Sequence, residues 1–231
     1  MKRFYRETGV KPGDGSYGVT LDGRSVRTPA KGELLLPTRT LAEAIAAEWD
    51  EQEIEIQPHR MPLMQLASTA IDRVRPRRDA VIDEIANYAE TDMLCYRADT
   101  PVELAARQAQ EWQPLLDWAA GRFDAALSVT EGVVPMPQPP GAVRALRAAV
   151  AECDEFALSA VYTLTTVSGS LVLALAVRDS ATDPDAACDA SHLDEEWQAA
   201  VWGSDPHAES RRERSRADIL AAARFLALLR G

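Results

Sequence analysis

The sequence predicts an α+β protein, with a small antiparallel sheet and covering helix over residues 1–60 and an all-α orthogonal helix bundle over residues 61–231. Three observations carry that prediction. Apolar residues alternate with period two in the amino-terminal stretch, between turn-forming pairs. From Met61 onward the texture becomes Ala-rich with apolar residues three and four apart. Prolines and short polar loops then cut this longer stretch into segments of helical length.

In chain order, Phe4-Tyr5 opens the first strand, and Tyr17, Val19 and Leu21 alternate along the next. Asp22-Gly23 is a hairpin-turn pair, with Val26 on the return, and Lys31-Gly32 turns the chain again into 33–36. A helix follows from about Thr38, capped by Thr38 or Thr40, with Leu41, Ile45 and Trp49 at i, i+4 and i+8. Ile54-Glu55-Ile56 alternates as one more strand before Pro58. No strand is expected after Met61. The predicted helices there are 63–74 and 77–90, separated by Pro76, and 101–123 with a bend at Pro114. A Pro-rich loop over 134–140 leads to helices at 141–152, 155–177, 184–202 and 208–229.

The formal net charge of −11 is unevenly placed. Residues 1–60 hold nine Lys/Arg against ten Asp/Glu, and the remainder sixteen against twenty-six. That balance argues against nucleic acid, which needs a basic face, and permits a basic or mixed-charge protein partner. Cys95, Cys153 and Cys188 are odd in number and widely spaced, as expected of free thiols in a reducing compartment. The amino-terminal MKRFYRETGV has neither the apolar core of a signal peptide nor the character of a transit peptide, so a cytoplasmic location is expected.

Several attractive signals fail on context. Gly13, Gly15 and Gly18 form a literal G-x-G-x-x-G, but a strand follows where the dinucleotide fingerprint needs a helix. The stretch 156–177 carries no charge and is long enough to span a bilayer. Its serines, threonines and Gly169 dilute it, and its flanks lack a clear positive bias, so a helix buried within the bundle explains it better. His59, His192 and His207 have no ligand spacing, so neither a metal nor a cofactor is expected. Neighbouring acids such as Asp83/Glu84 and Glu195/Glu196 diverge by about 100° on a helix and cannot share a proton, so no catalytic residue is assigned.

The motif HLDEEWQAAVWG at 192–203 is the most informative stretch. On a helix, Leu193, Trp197, Ala200 and Val201 form a stripe that wants burial, while Glu195, Gln198 and Trp202 fall on the far side. An indole on that side either tucks under the following helix or belongs to a recognition surface. Trp49, inside Glu48-Trp49-Asp50, reads as the anchor of its helix on the sheet, with a contact to a partner as the second reading. Together with the acids that the family resemblance below singles out, the candidate partner-binding residues are Asp194, Glu195, Glu196, Trp197, Gln198, Trp202 and Trp49. An enzyme with an unrecognised small-molecule pocket and a membrane-associated factor anchored by 156–177 are the alternatives.

The chain resembles the assembly factor 2 family, the chaperones that attend the alpha subunit of the F-type ATP synthase catalytic head. The motifs are KRFYRE at 2–7, VTLDGRSVRTPAKGELLLPT at 19–38, LAEAIAAEWDEQ at 41–52, MPLMQLASTAIDRV at 61–74, YAETDMLCYRA at 88–98 and WQPLLDW at 112–118, closed by HLDEEWQAAVWG. One departure is His192, which stands where the family pattern has arginine. The resemblance implies a two-domain fold and a function without catalysis: binding the unassembled alpha subunit, preventing its aggregation and handing it to the beta subunit. It implies a protein that is monomeric when free and uses neither nucleic acid nor membrane insertion. It maps the family's functional acid onto the start of LDEEWQ, at Asp194 first, then Glu195 and Glu196.

Overall fold

The computed structural model describes residues 1–132, 134–203 and 205–231. Strands β1 (Thr8–Pro12), β2 (Tyr17–Leu21) and β3 (Arg24–Ser25) form an antiparallel meander, and β4 (Leu35–Leu36) pairs with the start of β2, Tyr17 opposite Leu36. The turn at Asp22 (φ 48°) and Gly23 (φ 77°) takes both residues into the left-handed region, as a tight hairpin demands. Along β2 the expected alternation holds, with Val19 and Leu21 turned into the core. Phe4-Tyr5 is not a strand. Tyr5 is buried, and its hydroxyl donates to the Trp49 carbonyl at 2.6 Å, a side-chain anchor in place of a ladder. Ile54-Glu55-Ile56 is likewise reduced to a single antiparallel bridge between Glu55 and Lys2.

Helix α1 (Arg39–Asp50) is capped by Thr38, whose Oγ1 accepts from Leu41 N at 3.2 Å. Leu41, Ala42 and Ile45 bury its inner face. Pro62–Thr69 forms α2, after which one turn of π-helix at Ala70–Val74 and one 3₁₀ turn at Arg75–Arg77 run straight into α3 (Arg78–Ala86). Pro76 therefore does not separate a pair of helices as expected, because the change of helical pitch absorbs its missing N–H. The remaining helices are α4 (Val102–Phe123), α5 (Pro140–Ala151), α6 (Glu155–Ser168), α7 (Leu171–Arg178), α8 (Pro184–Trp202) and α9 (Pro206–Leu229).

Two further findings correct the sequence reading beyond Met61. Strands do occur there: β5 (Tyr96–Arg97) pairs in parallel with β6 (Thr130–Glu131), too short to leave a period in the sequence. The apolar run 156–177 is two helices, not one. Gly169 leaves the helix at φ 73°, and Ser170 caps α7, its Oγ accepting from Leu173 N at 3.0 Å. Asp92 completes the break. Its fully buried carboxylate accepts from Val172 N at 3.0 Å and Leu94 N at 3.1 Å. Among the described residues, no helix is long and apolar enough to cross a membrane.

By contacts the chain groups into two units. One comprises Met1–Arg78, Asp154–Ala160 and Ala221–Gly231, and the other comprises Asp79–Cys153 and Val161–Leu220. In the first, the end of α9 closes the core with Phe225 and Leu226, and the Thr38 hydroxyl donates to the Leu228 carbonyl at 2.7 Å. In the second, α7 is buried along its whole apolar length, from Leu171 to Val177, with Trp112, Leu116, Leu146 and Leu193 filling the same core. The three cysteines are buried and form no disulfide, and burial pushes the Cys95 thiol up to about 12 and the Cys188 thiol up to about 11, which leaves both poor nucleophiles.

Candidate functional site

Helix α8 begins at Pro184, with the Asp183 carboxylate accepting from Asp185 N at 2.9 Å. Its first half is inward-facing: Ala187, Cys188, Ala190 and Leu193 are buried, and Trp112 Nε1 on α4 donates to the Ala190 carbonyl at 2.9 Å. Its last two turns are different. Trp197 is half-buried, but Ala200 and Val201 are exposed, so the expected apolar stripe stops short. Trp202 is 78 % exposed and does not tuck under α9. With Glu195 and Gln198 it forms an open row at i, i+3 and i+7 along the outer face.

The three acids of the motif have separate surroundings. Glu195 is exposed, and Glu196 lies 3.8 Å from the Arg107 guanidinium, both side chains being nearly half-exposed. Asp194 is half-buried and held. Its Oδ1 accepts from Gln108 Nε2 at 2.7 Å, and Gln108, 1 % exposed, in turn accepts from Ala98 N through Oε1 at 2.7 Å. Beside this chain of bonds lies Arg97 on β5, 7 % exposed, its guanidinium 5.1 Å from the centre of the Trp112 ring. Arg97 Nη2 reaches Gln113 Oε1 at 3.5 Å, and Nη1 is buried without a hydrogen-bond partner. Burial pulls the Arg97 pKa below its ordinary value, and the negative charge of Asp194 pulls it back. The leading candidate acid is thus the outer end of a buried polar network.

Trp49 belongs to the other unit. It is half-buried, its ring edge-on to Tyr5 at 5.7 Å between centroids, and its Nε1 is shielded without an acceptor. The residue that reaches the core there is its neighbour Glu48, 6 % exposed, whose carboxylate accepts from Leu63 N and Met64 N, both at 2.8 Å, at the start of α2. Burial pushes the Glu48 carboxyl up to about 7, opposed by these two amides and by the charge of Arg224. Glu48, Arg97 and Gln108 were not singled out from the sequence, although Glu48 stands at i+7 from Leu41 on an apolar face, and Gln108 stands midway between Leu104 and Trp112. Among the described residues, no group of three His, Cys, Asp or Glu side chains could hold a metal ion.

The raised Glu48 pKa makes stability depend on pH. A carboxyl whose folded pKa exceeds its unfolded value near 4.5 stabilises the protein fully below pH 4.5 and loses that contribution as pH rises to about 7. Urea titrations should therefore show the stability of the parent protein falling relative to Glu48→Gln by about 2 kcal/mol between pH 4.5 and 7.5. A difference that stays flat with pH would refute the assignment.

The chain matches the family described as ATP12 chaperone protein over residues 2–120. It is 23% identical over 216 residues to the protein named atp12, mitochondrial, of Schizosaccharomyces pombe, covering 88% of this chain and 74% of that one. Among solved structures, Atp12 from Paracoccus denitrificans is 43% identical with a TM-score of 0.94, covering 99% of this chain and 98% of that one. An aspartate-to-lysine mutant of the same Paracoccus protein gives a TM-score of 0.95, with 43% identity over 99% of this chain and 97% of that one. The Atu1473 protein of Agrobacterium tumefaciens is 38% identical with a TM-score of 0.95, covering 99% of this chain and 86% of that one. Likeness of this extent gives the class: the fold is that of the Atp12 chaperones. The chain belongs to the ATP12 chaperone family, the F1 ATP synthase assembly chaperones that its motifs resembled.

Proposed function

We propose that this protein binds the unassembled alpha subunit of the F1 head, keeps it from aggregating, and yields it to the beta subunit. An unassembled subunit exposes an apolar face larger than a soluble surface tolerates, so it self-associates. A holder competes by mass action, and release requires only that the beta subunit bind more tightly. Neither nucleotide nor catalysis enters such a cycle, and the holder acts as a monomer in the cytoplasm. The observation that carries this reading is the open row on α8. Trp202 supplies contact area at the end of the row, Glu195 and Gln198 extend it along the preceding turns, and Asp194 and Glu196 add negative charge that suits a basic rim on the client. Trp197 supports the row from the half-buried side.

Refolding tests the proposal. Denatured alpha subunit, and separately beta subunit, are diluted into buffer with and without the protein, followed by light scattering and gel filtration. Alpha aggregation should be suppressed at near-stoichiometric ratios with a co-eluting complex, while beta is unaffected. Equal protection of both subunits would sink the alpha assignment.

A further inference from the structure

Gln108 stands on the inner stripe of α4, between Leu104 and Trp112, where helical spacing calls for an apolar side chain. A buried amide is costly unless its polar ends are matched, and here both are. Oε1 accepts from Ala98 N, which ties the side chain to the end of β5, and Nε2 donates to Asp194 Oδ1, both at 2.7 Å. The other oxygen of Asp194 is different. Among the described residues Oδ2 accepts no hydrogen bond, and it is not one of the unpartnered polar atoms shut off from solvent. One side of the carboxylate is held and the other is open. The nearby cation is treated unequally too. Arg97 is close enough for the charge of Asp194 to act on it, yet among the described residues no carboxylate lies at ion-pair distance from its guanidinium. Its Nη1 stays buried without a partner. The acid that could answer this cation is bound by a neutral amide instead, which leaves its charge uncancelled. Glu196, by contrast, has the Arg107 guanidinium 3.8 Å away.

We propose that Gln108 is the positioning residue of the client site: it holds the Asp194 carboxylate off Arg97 with Oδ2 open, so that the acid meets a basic side chain of the client. The inference rests on the client reading above and deepens it by naming what sets the geometry of the acid. A carboxylate already fixed in place loses little freedom on binding, and a charge not cancelled internally draws and orients a cationic partner. The cost falls on Arg97, a buried cation left with one nitrogen unpaired.

The test measures the affinity of the full chain for fluorescently labelled alpha subunit diluted from denaturant. Gln108→Met keeps the volume, removes both polar ends of the amide, and should hold the alpha subunit about tenfold more weakly than the parent protein. A merely structural loss would act alike whatever stands at position 194, so a double-mutant cycle decides. In the Asp194→Asn background, where the charge is already gone, Gln108→Met should change affinity by no more than about twofold. Equal losses in both backgrounds, or parent-like binding by Gln108→Met, would make the amide purely structural and overturn the proposal while the client reading stands. Should Gln108→Met fail to fold, the exchange of Gln108→Glu together with Asp194→Asn takes its place. It keeps the hydrogen bond with donor and acceptor reversed and moves the negative charge inward beside Arg97. The exchange should melt close to the parent protein and bind the alpha subunit about tenfold more weakly. Parent-like binding by the exchange would overturn the proposal, since the charge would then need no presentation at Asp194. If the parent protein itself does not hold the alpha subunit, the client reading fails and the positioning role falls with it.

Discussion

Truncating Trp112 to alanine lowers stability by about 4 kcal/mol and the melting temperature by roughly 10–15 °C. Trp112 is 1 % exposed and belongs to the core that α4 shares with α8, so its loss removes the largest fully buried side chain of the protein. Three separate interactions go with it. The hole forfeits transfer and dispersion energy, the Ala190 carbonyl loses the indole donor, and the buried Arg97 guanidinium loses the ring face it rests against. Trp112→Phe restores most of the volume and should recover more than half of the loss. Trp202→Ala, by contrast, should stay within about 0.5 kcal/mol of the parent protein, because that indole is open to water. Thermal and urea denaturation of the three variants checks the ordering. Comparable losses at Trp112 and Trp202 would mean that Trp202 is packed after all.

How far the sequence carries the fold depends on the range of the signal. Alternation along β2, the turn pairs Asp22-Gly23 and Lys31-Gly32, and the Thr38 cap are local features, and each lies where its residues predict. The two-residue strands β5 and β6 have no period to detect. The break between α6 and α7 is hidden in hydropathy, since both sides are equally apolar. Its signal is chemical, a glycine followed by a serine able to cap. The candidate site divides along the same line. The motif containing Asp194 was legible, but the partner of Asp194 is Gln108, eighty-six residues earlier, so its restraint could not be read from neighbouring residues. Trp202 carries the converse lesson: a helical wheel says which side a residue faces, and only the fold decides whether a second helix covers that side.

Charge reversal at Asp194 is expected to abolish retention of the alpha subunit, and the structure makes the interpretation depend on a neutral control. Asp194→Lys removes the acceptor of Gln108 Nε2 and brings a second cation toward Arg97, whose guanidinium already has one nitrogen buried and unpaired. That should cost about 1–3 kcal/mol of stability, more than a simple surface exchange. Asp194→Asn separates the two roles. Its amide oxygen still accepts from Gln108, so stability should hold within about 1 kcal/mol while the negative charge is gone. If the acid meets a basic patch on the client, Asp194→Asn should weaken alpha binding about tenfold at an almost unchanged melting temperature, and Asp194→Lys should weaken it at least a hundredfold. Raising salt should then narrow the gap between the parent protein and Asp194→Asn, as screening predicts for a partly exposed charge. Parent-like binding by Asp194→Asn, with loss in Asp194→Lys proportional to unfolding, would instead show that the acid works only through its bond to Gln108. The binding role would then pass to Glu195, Glu196 and the open face of Trp202.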